Sequence, residues 1–494
     1  MLIVGAGPTG LLLAAELRRR GIECTLIDAR GEPQRWDRAT IVHPRTVELL
    51  ASVGIAEPLL EAGVHQRGIR IFAAGEQLGE IDLSTSGSRY GFNLDVSEEV
   101  TERILTDHLE AQGGAVTRGH RLIGLERGED GVLATVEHEG GREQIGAGWV
   151  VGCGGLHSPV RELSGIPFEG HDIPQPWAVF DVTIDGWASE LDVNFGFFDQ
   201  PPVILTPLPG ARWRAYLRPS SPDSDLVAEA AAVIGRYDPG ATLVEVENPR
   251  RFDCHTKVAA RYRDGRALLA GDAAHVCTPG QGHGMNTGIQ DSFNLAWKLA
   301  HVVKGEAEEA LLDSYEAERR PVALAITASG DAMEEALMVG DDPAARASRD
   351  RSLREAFADP DSNHQEVVAE VELDVDYAGS PIVADDSAPP GAGARLPAEL
   401  QPLVGAEHTL VVLAREGSAD DGRGLEAELG ALGDGLFAAT VRVELEAEAA
   451  ERLGVAGPSV LAVRPDHYLG LRLDGGDPAR LRGYADLVRA GGRR

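Results

Sequence analysis

The chain opens on Leu2-Ile3-Val4 followed at once by Gly5-Ala6-Gly7-Pro8-Thr9-Gly10, and no other stretch constrains the fold as tightly. The apolar triplet is what a strand buried on both faces shows. The next six residues fit G-x-G-x-x-G. Leu11–Arg20 then reads as a helix, apolar first and basic at its C-terminal end, where cations suit the macrodipole. Gly21 ends it, and Glu23–Ile27 reads as a second strand closing on Asp28, 18 residues beyond Gly10. Gly5 permits the tight turn, Gly7 leaves bare backbone for a pyrophosphate, and Gly10 lets helix and strand pack closely. The free N–H groups of the helix start face the anion. Asp28 is placed to accept both hydroxyls of an adenosine ribose. Strand, motif, helix, strand and acid in this order predict an α/β, Rossmann-like domain that binds a dinucleotide. An ordinary glycine-rich turn would leave Asp28 unexplained.

With 494 residues the chain has room for two to four domains. Its 46 basic against 79 acidic residues argue against binding nucleic acid or an anionic membrane surface. The four cysteines, Cys24, Cys153, Cys254 and Cys277, form no CxxC pair, so neither a disulfide framework nor a zinc site is expected. A reducing cytoplasm fits. No apolar run is long enough to span a bilayer, and the N-terminus lacks the basic start of a signal peptide. The first strand begins at residue 1, so a few residues of the true start are possible absentees.

Pro44 suits the first turn of a helix carrying Val47 and Leu50 on one face. Arg38 and Arg45 flank that start, either as solvated arginines or as contacts to a phosphate or nucleotide. Residues 69–95 read as antiparallel strands, Val100–Gln112 as a helix, and Gly119–Glu126 and Val132–Glu137 as strands. Val150–Arg161 reads as a strand entering a glycine turn at Gly154-Gly155. From Ile173 to Asp253 the pattern is strand-like with proline-rich turns. Trp177, Phe180, Phe195, Phe197, Phe198, Trp213 and Tyr216 gather there, as core or as the floor of an apolar ligand site.

Arg266–Ala270 is a buried strand ending in Gly271-Asp272. Pro279-Gly280-Gln281-Gly282-His283-Gly284-Met285-Asn286 then opens a long helix whose Ile289, Phe293, Ala296, Ala300 and Val303 share a face. Glycine and proline just before a helix expose backbone N–H groups, a second anion site. His275 and Cys277 read as packed residues, since no other metal ligands converge, and no metal is expected. His283, inside the loop, is the better candidate to touch a ligand. Residues 305–357 are helical, Ala358–Gly393 reads as an acidic linker, and strands at Thr409–Ala414 and Ala438–Leu445 precede a hairpin turning at Pro465-Asp466 and a closing helix, Pro478–Ala490.

Three glycine sites in one order, Gly5–Gly10, Gly152–Arg161 and Gly271–Asn286, resemble the class A flavoprotein monooxygenases, the para-hydroxybenzoate and phenol hydroxylase family, and most of all the actinobacterial aromatic-polyketide hydroxylases. The resemblance covers nearly the whole chain. It implies a GR2-type FAD domain (1–70, 96–170 and 260–340), an inserted β-sheet substrate domain (71–95 and 171–259), a helical segment and linker (341–393) and a thioredoxin-like C-terminal domain (394–494). It implies FAD, with NADPH or NADH as reductant and O₂ as co-substrate, forming a C4a-hydroperoxide that hydroxylates a small phenolic or polyketide-type aromatic. A monomer or homodimer is expected.

By the same resemblance Gly5, Gly7, Pro8, Thr9, Gly10, Asp28, Ala29 and Arg30 hold the ADP half. Arg38 and Arg45 lie near the pyrophosphate and pyridine nucleotide. Glu98, Arg103, Gly154 and Gly155 belong to the same cofactor site. Asp272 takes the ribityl chain. Pro279, Gly282, Gly284, Met285 and Asn286 take the isoalloxazine edge, with Pro279, Gly280, Gly282 and His283 as the catalytic loop. Three departures stand out: Gly154-Gly155 for the family's Asp-Gly, Gln281-Gly282-His283-Gly284 for Gly-Gly-Gln-Gly, and Glu98 for a Gln. Baeyer–Villiger insertion, or a flavin-binding protein that sequesters ligand with poor turnover, are the alternatives.

Overall fold

In the computed structural model, which describes residues 1–34, 39–187, 190–339, 342–384, 389–418, 420–430 and 435–492, Leu2–Val4 lies between Thr25–Asp28 and Val150–Gly152, parallel to both. The sheet extends to Val116–Arg118 on one side. On the other it passes through Ala267–Leu269 to the antiparallel Arg263–Asp264. Helix Pro8–Arg19 buries Leu11, Leu12, Leu13, Ala14, Ala15 and Leu17 completely, and helix His283–Val303 packs beside it. Because Leu2–Val4, Thr25–Asp28, Val150–Gly152 and Ala267–Leu269 run the same way, Gly5, Asp28, Cys153 and Ala270 all leave the sheet at one edge. That carboxyl edge is where open α/β sheets bind ligands.

A second sheet has seven strands in the order Thr242–Phe252, Trp177–Asp185, Arg212–Leu217, Val203–Leu208, Val193–Phe197, Gly68–Ala73, Glu76–Asp82. The pleat splits its aromatics between two faces. Phe180, Phe195, Phe197 and Trp213 point to the back, against Leu226, Ala230, Val233 and Ile234 of a helix at Leu226–Tyr237. The sequence expectation of strands alone overlooked this helix, whose start is capped by Asp225 accepting from Val227 and Ala228 N–H. Only Trp177, Phe198 and Tyr216 of the seven aromatics, with Val179 and Ile204, lie on the front. The single aromatic floor is corrected accordingly.

The front face packs against Leu337, Val367, Val371, Met333, Leu353 and Phe357. These come from helices Asp313–Leu337, Pro343–Ala358 and Pro360–Glu370, with Val371 just past the end of the last. The last lies in the stretch expected as linker; Asp359 caps it through Asp361 and Ser362 N–H. At the C-terminal end, Thr409–Arg415 pairs parallel with Ala439–Leu445 and antiparallel with Ser459–Val463, which folds back on Leu469–Asp474. The turn between those last strands is driven into the first part of the molecule. Arg464 Nη1 and Nη2 each lie 2.7 Å from the Glu318 carboxylate, which also takes Lys298 Nζ at 2.6 Å. Among the described residues no helix is long and apolar enough to cross a membrane.

A small antiparallel sheet of Ile41–Val42, Asn93–Asp95 and Val64–Gln66 closes the region beside the carboxyl edge. Asp95 is wholly buried there, and among the described residues neither carboxyl oxygen has a partner. Burial pushes this carboxyl well above the ordinary aspartate range. The fold therefore keeps a proton that the unfolded chain releases near pH 4, and stability falls as pH rises above that value. Asp95→Asn removes the ionisation. The variant should melt above the unmodified protein at about pH 7, with the gap closing as pH falls toward about 4. Thermal unfolding followed across that window checks this; a variant that melts lower at neutral pH contradicts it.

Candidate functional site

The three glycine turns meet through contacts that exclude side chains. A Cβ on Gly5, whose φ is +110°, would fall 2.3 Å from the Cys153 carbonyl oxygen, and one on Gly10 would fall 1.9 Å from the Gly5 carbonyl oxygen. Gly7 differs: a Cβ there would meet only Glu102 Oε1, at 3.8 Å. The helix that begins at Pro8 has no side-chain cap, so its first N–H groups open onto that space. An uncapped helix start beside bare glycine backbone fits a pyrophosphate. Thr9 does not serve through its side chain, which packs between Gly271 and Gly288; a Cβ on either would lie about 2.5 Å or less from Thr9 Oγ1.

Asp28 closes the second strand. Its Oδ2 accepts from Ala6 N–H and its Oδ1 from Arg30 N–H, both at 2.8 Å. Burial alone would raise this carboxyl, but those two N–H groups and the Arg30 guanidinium outweigh it and hold it below the ordinary aspartate value. A carboxylate has about four acceptor sites, so an ionised Asp28 keeps capacity for hydroxyl donors. Ala29 is exposed at the rim. Glu98 and Glu102 both act on Arg30. Glu98 begins the helix Glu98–Ala111, and Arg103 is exposed one turn further on.

In the middle turn only Gly155 has positive φ, at 75°. A Cβ on Gly154 would meet Pro159 Cδ at 3.2 Å and nothing closer. Gly154 therefore needs no positive φ, and a side chain there would have to press only on Pro159. Arg161, not singled out from sequence, ties this turn to the next: its Nη1 donates to Ala273 O at 3.0 Å and its guanidinium lies 4.0 Å over the Phe168 ring.

Gly271, at φ +62°, turns the chain after Ala267–Leu269, and Asp272 follows, exposed. Asp272 Oδ1 would lie 3.9 Å from a Cβ on Gly284, so it faces the start of helix His283–Val303. Asp291 holds the turn in place, its Oδ2 accepting from Gly271 N–H at 3.0 Å and lying 2.8 Å from His275 Nε2. His275 is thereby a packed polar residue. Pro279–Gln281 forms a short turn, Gly282 adopts φ +72° against Ile41, and the helix starts without a side-chain cap. A Cβ on Gly280 would sit 3.6 Å from Met333 Cγ, beside the helices that cover the front of the seven-stranded sheet. Met285 is buried. Asn286 spends its side chain on protein: Oδ1 accepts from His43 N–H at 2.8 Å, and Nδ2 donates to Ile41 O and Gly282 O. Any contact of Asn286 with a ring edge is left to its backbone.

One expectation changes. Arg45 is wholly buried and unavailable to a nucleotide. Its Nη2 donates to Asp466 O at 2.7 Å, its Nη1 faces Glu48, and its guanidinium stacks on Tyr468. Burial among acceptors from the C-terminal hairpin explains this role. Arg38 lies outside the described residues. His283 is also buried, its Nδ1 lying 3.1 Å from Glu372 Oε1. Ligand atoms of His43, His283 and Glu372 converge within 4.8 Å. Sequence reasoning missed Glu372, which sits 89 residues beyond His283 in the stretch expected as linker.

Residues 1–329 match the family described as FAD binding domain. Pentachlorophenol 4-monooxygenase of Sphingobium chlorophenolicum is 36% identical over 348 residues, covering 68% of this chain and 65% of that enzyme, just under two thirds of its length. The 12-dehydrotetracycline 5-monooxygenase/anhydrotetracycline 6-monooxygenase of Streptomyces rimosus subsp. rimosus is 34% identical over 494 residues, 95% of this chain and 94% of that one. The structure of the OxyS anhydrotetracycline hydroxylase from Streptomyces rimosus superposes with a TM-score of 0.75 at 30% identity, covering 100% of this chain and 99% of that one.

The glycine geometry separates a packing role from a binding role. Gly10→Ala should destabilise the fold by about 1–3 kcal/mol or more, because the Gly5 carbonyl cannot move without parting helix from strand. Gly7→Ala should leave the melting temperature of the cofactor-free protein nearly unchanged and weaken FAD affinity at least tenfold. Calorimetry and FAD titration of both variants check the contrast, which equal effects on folding would refute.

Proposed function

The chain belongs to the FAD-binding-domain family, within the class A flavin monooxygenases, and from that premise we propose that it hydroxylates a phenolic, polyketide-type aromatic at the expense of NAD(P)H and O₂. The observation that carries the reading is the meeting of three glycine turns at one sheet edge, with the uncapped loop Pro279–Gly284 beside the helices that cover the front face of the seven-stranded sheet.

Bound FAD supplies hydride acceptance and oxygen activation. The protein's part is to hold and orient. Gly5, Gly7, Pro8 and Gly10 offer backbone to the pyrophosphate, with Thr9 contributing through its backbone, and Asp28 accepts the ribose hydroxyls beside Ala29 and Arg30. Glu98, Arg103, Gly154 and Gly155 line the same side. Asp272 accepts from the ribityl chain. The N–H groups of Gly284, Met285 and Asn286 at the helix start favour an anionic ring edge. Arg38 is left as the arginine for the pyrophosphate or pyridine nucleotide. The fused ring system would sit between the Pro279–Gly284 loop and the edge of the front face, whose Trp177, Phe198 and Tyr216 the covering helices seal from water.

We read residues 1–70, 96–170 and 260–340 as the GR2-type FAD domain, 71–95 and 171–259 as the substrate domain, and 394–494 as a thioredoxin-like domain without a redox pair. The mixed four-stranded sheet supports the last assignment. A cytoplasmic setting suits a protein that draws on NADPH.

Purified protein should be yellow, and tetracyclic phenols should stimulate NADPH oxidation more than phenol does; equal stimulation by both would argue for a single-ring substrate. Because only Gly155 needs positive φ, Gly154→Asp should fold and bind FAD. It should also speed anaerobic flavin reduction by roughly one to two decades, the value of one charge-assisted hydrogen bond. Stopped-flow reduction no faster in the Asp variant, with FAD still bound, counts against a role for that carboxylate.

A further inference from the structure

Glu372 stands where a structural residue is costly to place. It follows the helix Pro360–Glu370, is 2% exposed, and holds φ +56°, a region that residues with a Cβ seldom adopt. That backbone strain presents its carboxylate to the start of the helix His283–Val303. Oε1 faces His283 Nδ1 at 3.1 Å and Thr287 Oγ1 at 3.2 Å; Oε2 accepts from Gln290 Nε2 at 2.6 Å. Three side chains from one helix therefore fix the carboxylate, and the carboxylate fixes the imidazole.

With Nδ1–H donated to Glu372, the tautomer of His283 is set and Nε2 is left with a lone pair. Among the described residues Nε2 has no protein partner, and it is not one of the sealed orphan atoms. The imidazole hangs from the loop between Gly282 and Gly284 that the proposed function places beside the flavin ring. The ring of His43 lies 5.2 Å away but is differently employed, with Nδ1 3.0 Å from the Asn93 amide oxygen and Nε2 3.2 Å from Gln281 O.

We propose that Glu372 is a positioning residue that orients His283 so that its Nε2 accepts the hydroxyl proton of a bound phenolic substrate. The inference rests on the aromatic-hydroxylase reading. The O–H bond of the substrate breaks, an N–H bond forms on Nε2, and the electron pair remains on the phenolate oxygen, where it enriches the ring. The imidazolium so formed is balanced by the Glu372 carboxylate. The groups facing this pair are His43 from the strand-to-helix turn, Glu370 and Asp374 on either side of Glu372, and Arg319 from the helix Asp313–Leu337. Burial disfavours charge on His283, yet Glu372, Glu370 and Asp374 outweigh it and raise its affinity for a proton. Burial and the neighbouring His283 push His43 down to about 4, which keeps it neutral.

The test is optical and independent of turnover. FAD-loaded protein is titrated with 2-hydroxyanthraquinone, and difference spectra follow ionisation of the bound probe against pH. The probe should ionise at lower pH when bound than when free. Glu372→Gln should move that ionisation upward by a pH unit or more, a tenfold loss of basicity, and Glu372→Asp should restore part of it. His283→Gln, which keeps a donor toward Glu372, should produce the same upward shift, and the double variant should shift no further. Glu372→Gln protein that holds FAD and probe but ionises it at the unmodified pH would overturn the proposal, as would one zinc ion per chain retained after dialysis, which would occupy the imidazole. Should Glu372→Gln fail to fold, an unshifted His283→Gln overturns it equally. A wild-type protein that takes up no FAD would instead overturn the hydroxylase reading beneath it.

Discussion

The site depends first on the buried carboxylate of Asp291. One oxygen takes the Gly271 N–H and His275; the other takes Arg319 Nε at 2.8 Å. Arg319 spends its remaining nitrogens on the Tyr377 hydroxyl and the Thr287 carbonyl. An ion pair sealed from water is tolerable only when every lone pair and proton is met, and removing one partner of such a pair costs about 3–5 kcal/mol. The consequence is mechanical. The turn carrying Asp272, the helix carrying the glycine loop, the helix carrying Arg319 and the segment at Tyr377 are bound into one body, so the turn and the helix start keep their separation.

The same economy of buried charge joins the C-terminal hairpin to that body. Arg464 bridges Glu318 and Asp466 at the heart of the molecule, while Lys298, Asn294 and Ser380 also donate to the Glu318 carboxylate. Burial lowers the Lys298 ammonium to about 8 despite Glu318 beside it. The hairpin also supplies Asp466 O and Tyr468 to Arg45, at the base of the helix Pro44–Ser52. An arginine that the chain's order places near a nucleotide is thereby the lock between two regions more than four hundred residues apart in sequence.

What the sequence made legible was local. Strand, glycine turn and helix follow within a few residues of one another, so Gly5–Gly10, Gly154-Gly155 and Gly271–Asn286 could be assigned by the backbone each requires, and the parallel sheet brings them together by topology. The hairpin at Pro465-Asp466 was legible for the same reason. What was illegible depends on distant partners. Nothing near Arg45 in the chain announces Tyr468, and nothing near His283 announces Glu372. The aromatics of the second sheet were counted correctly but not sided, because the pleat sends alternate residues to opposite faces and four of the seven serve the helix Leu226–Tyr237. That helix carried a readable signal, an Asp cap before an alanine-rich apolar run, obscured by the strands around it.

The central claim is that one sheet edge holds FAD end to end, from Asp28 across Gly7 to the helix start after Gly282. A crystal structure of the protein with FAD bound tests it most directly. The account predicts the ribose on the Asp28 carboxylate, the pyrophosphate against Gly7 backbone, and the ring edge at the N–H groups of Gly284–Asn286, with the Asp291 contacts unchanged. A flavin ring seated away from the Pro279–Gly284 loop, or a ribose remote from Asp28, would contradict it.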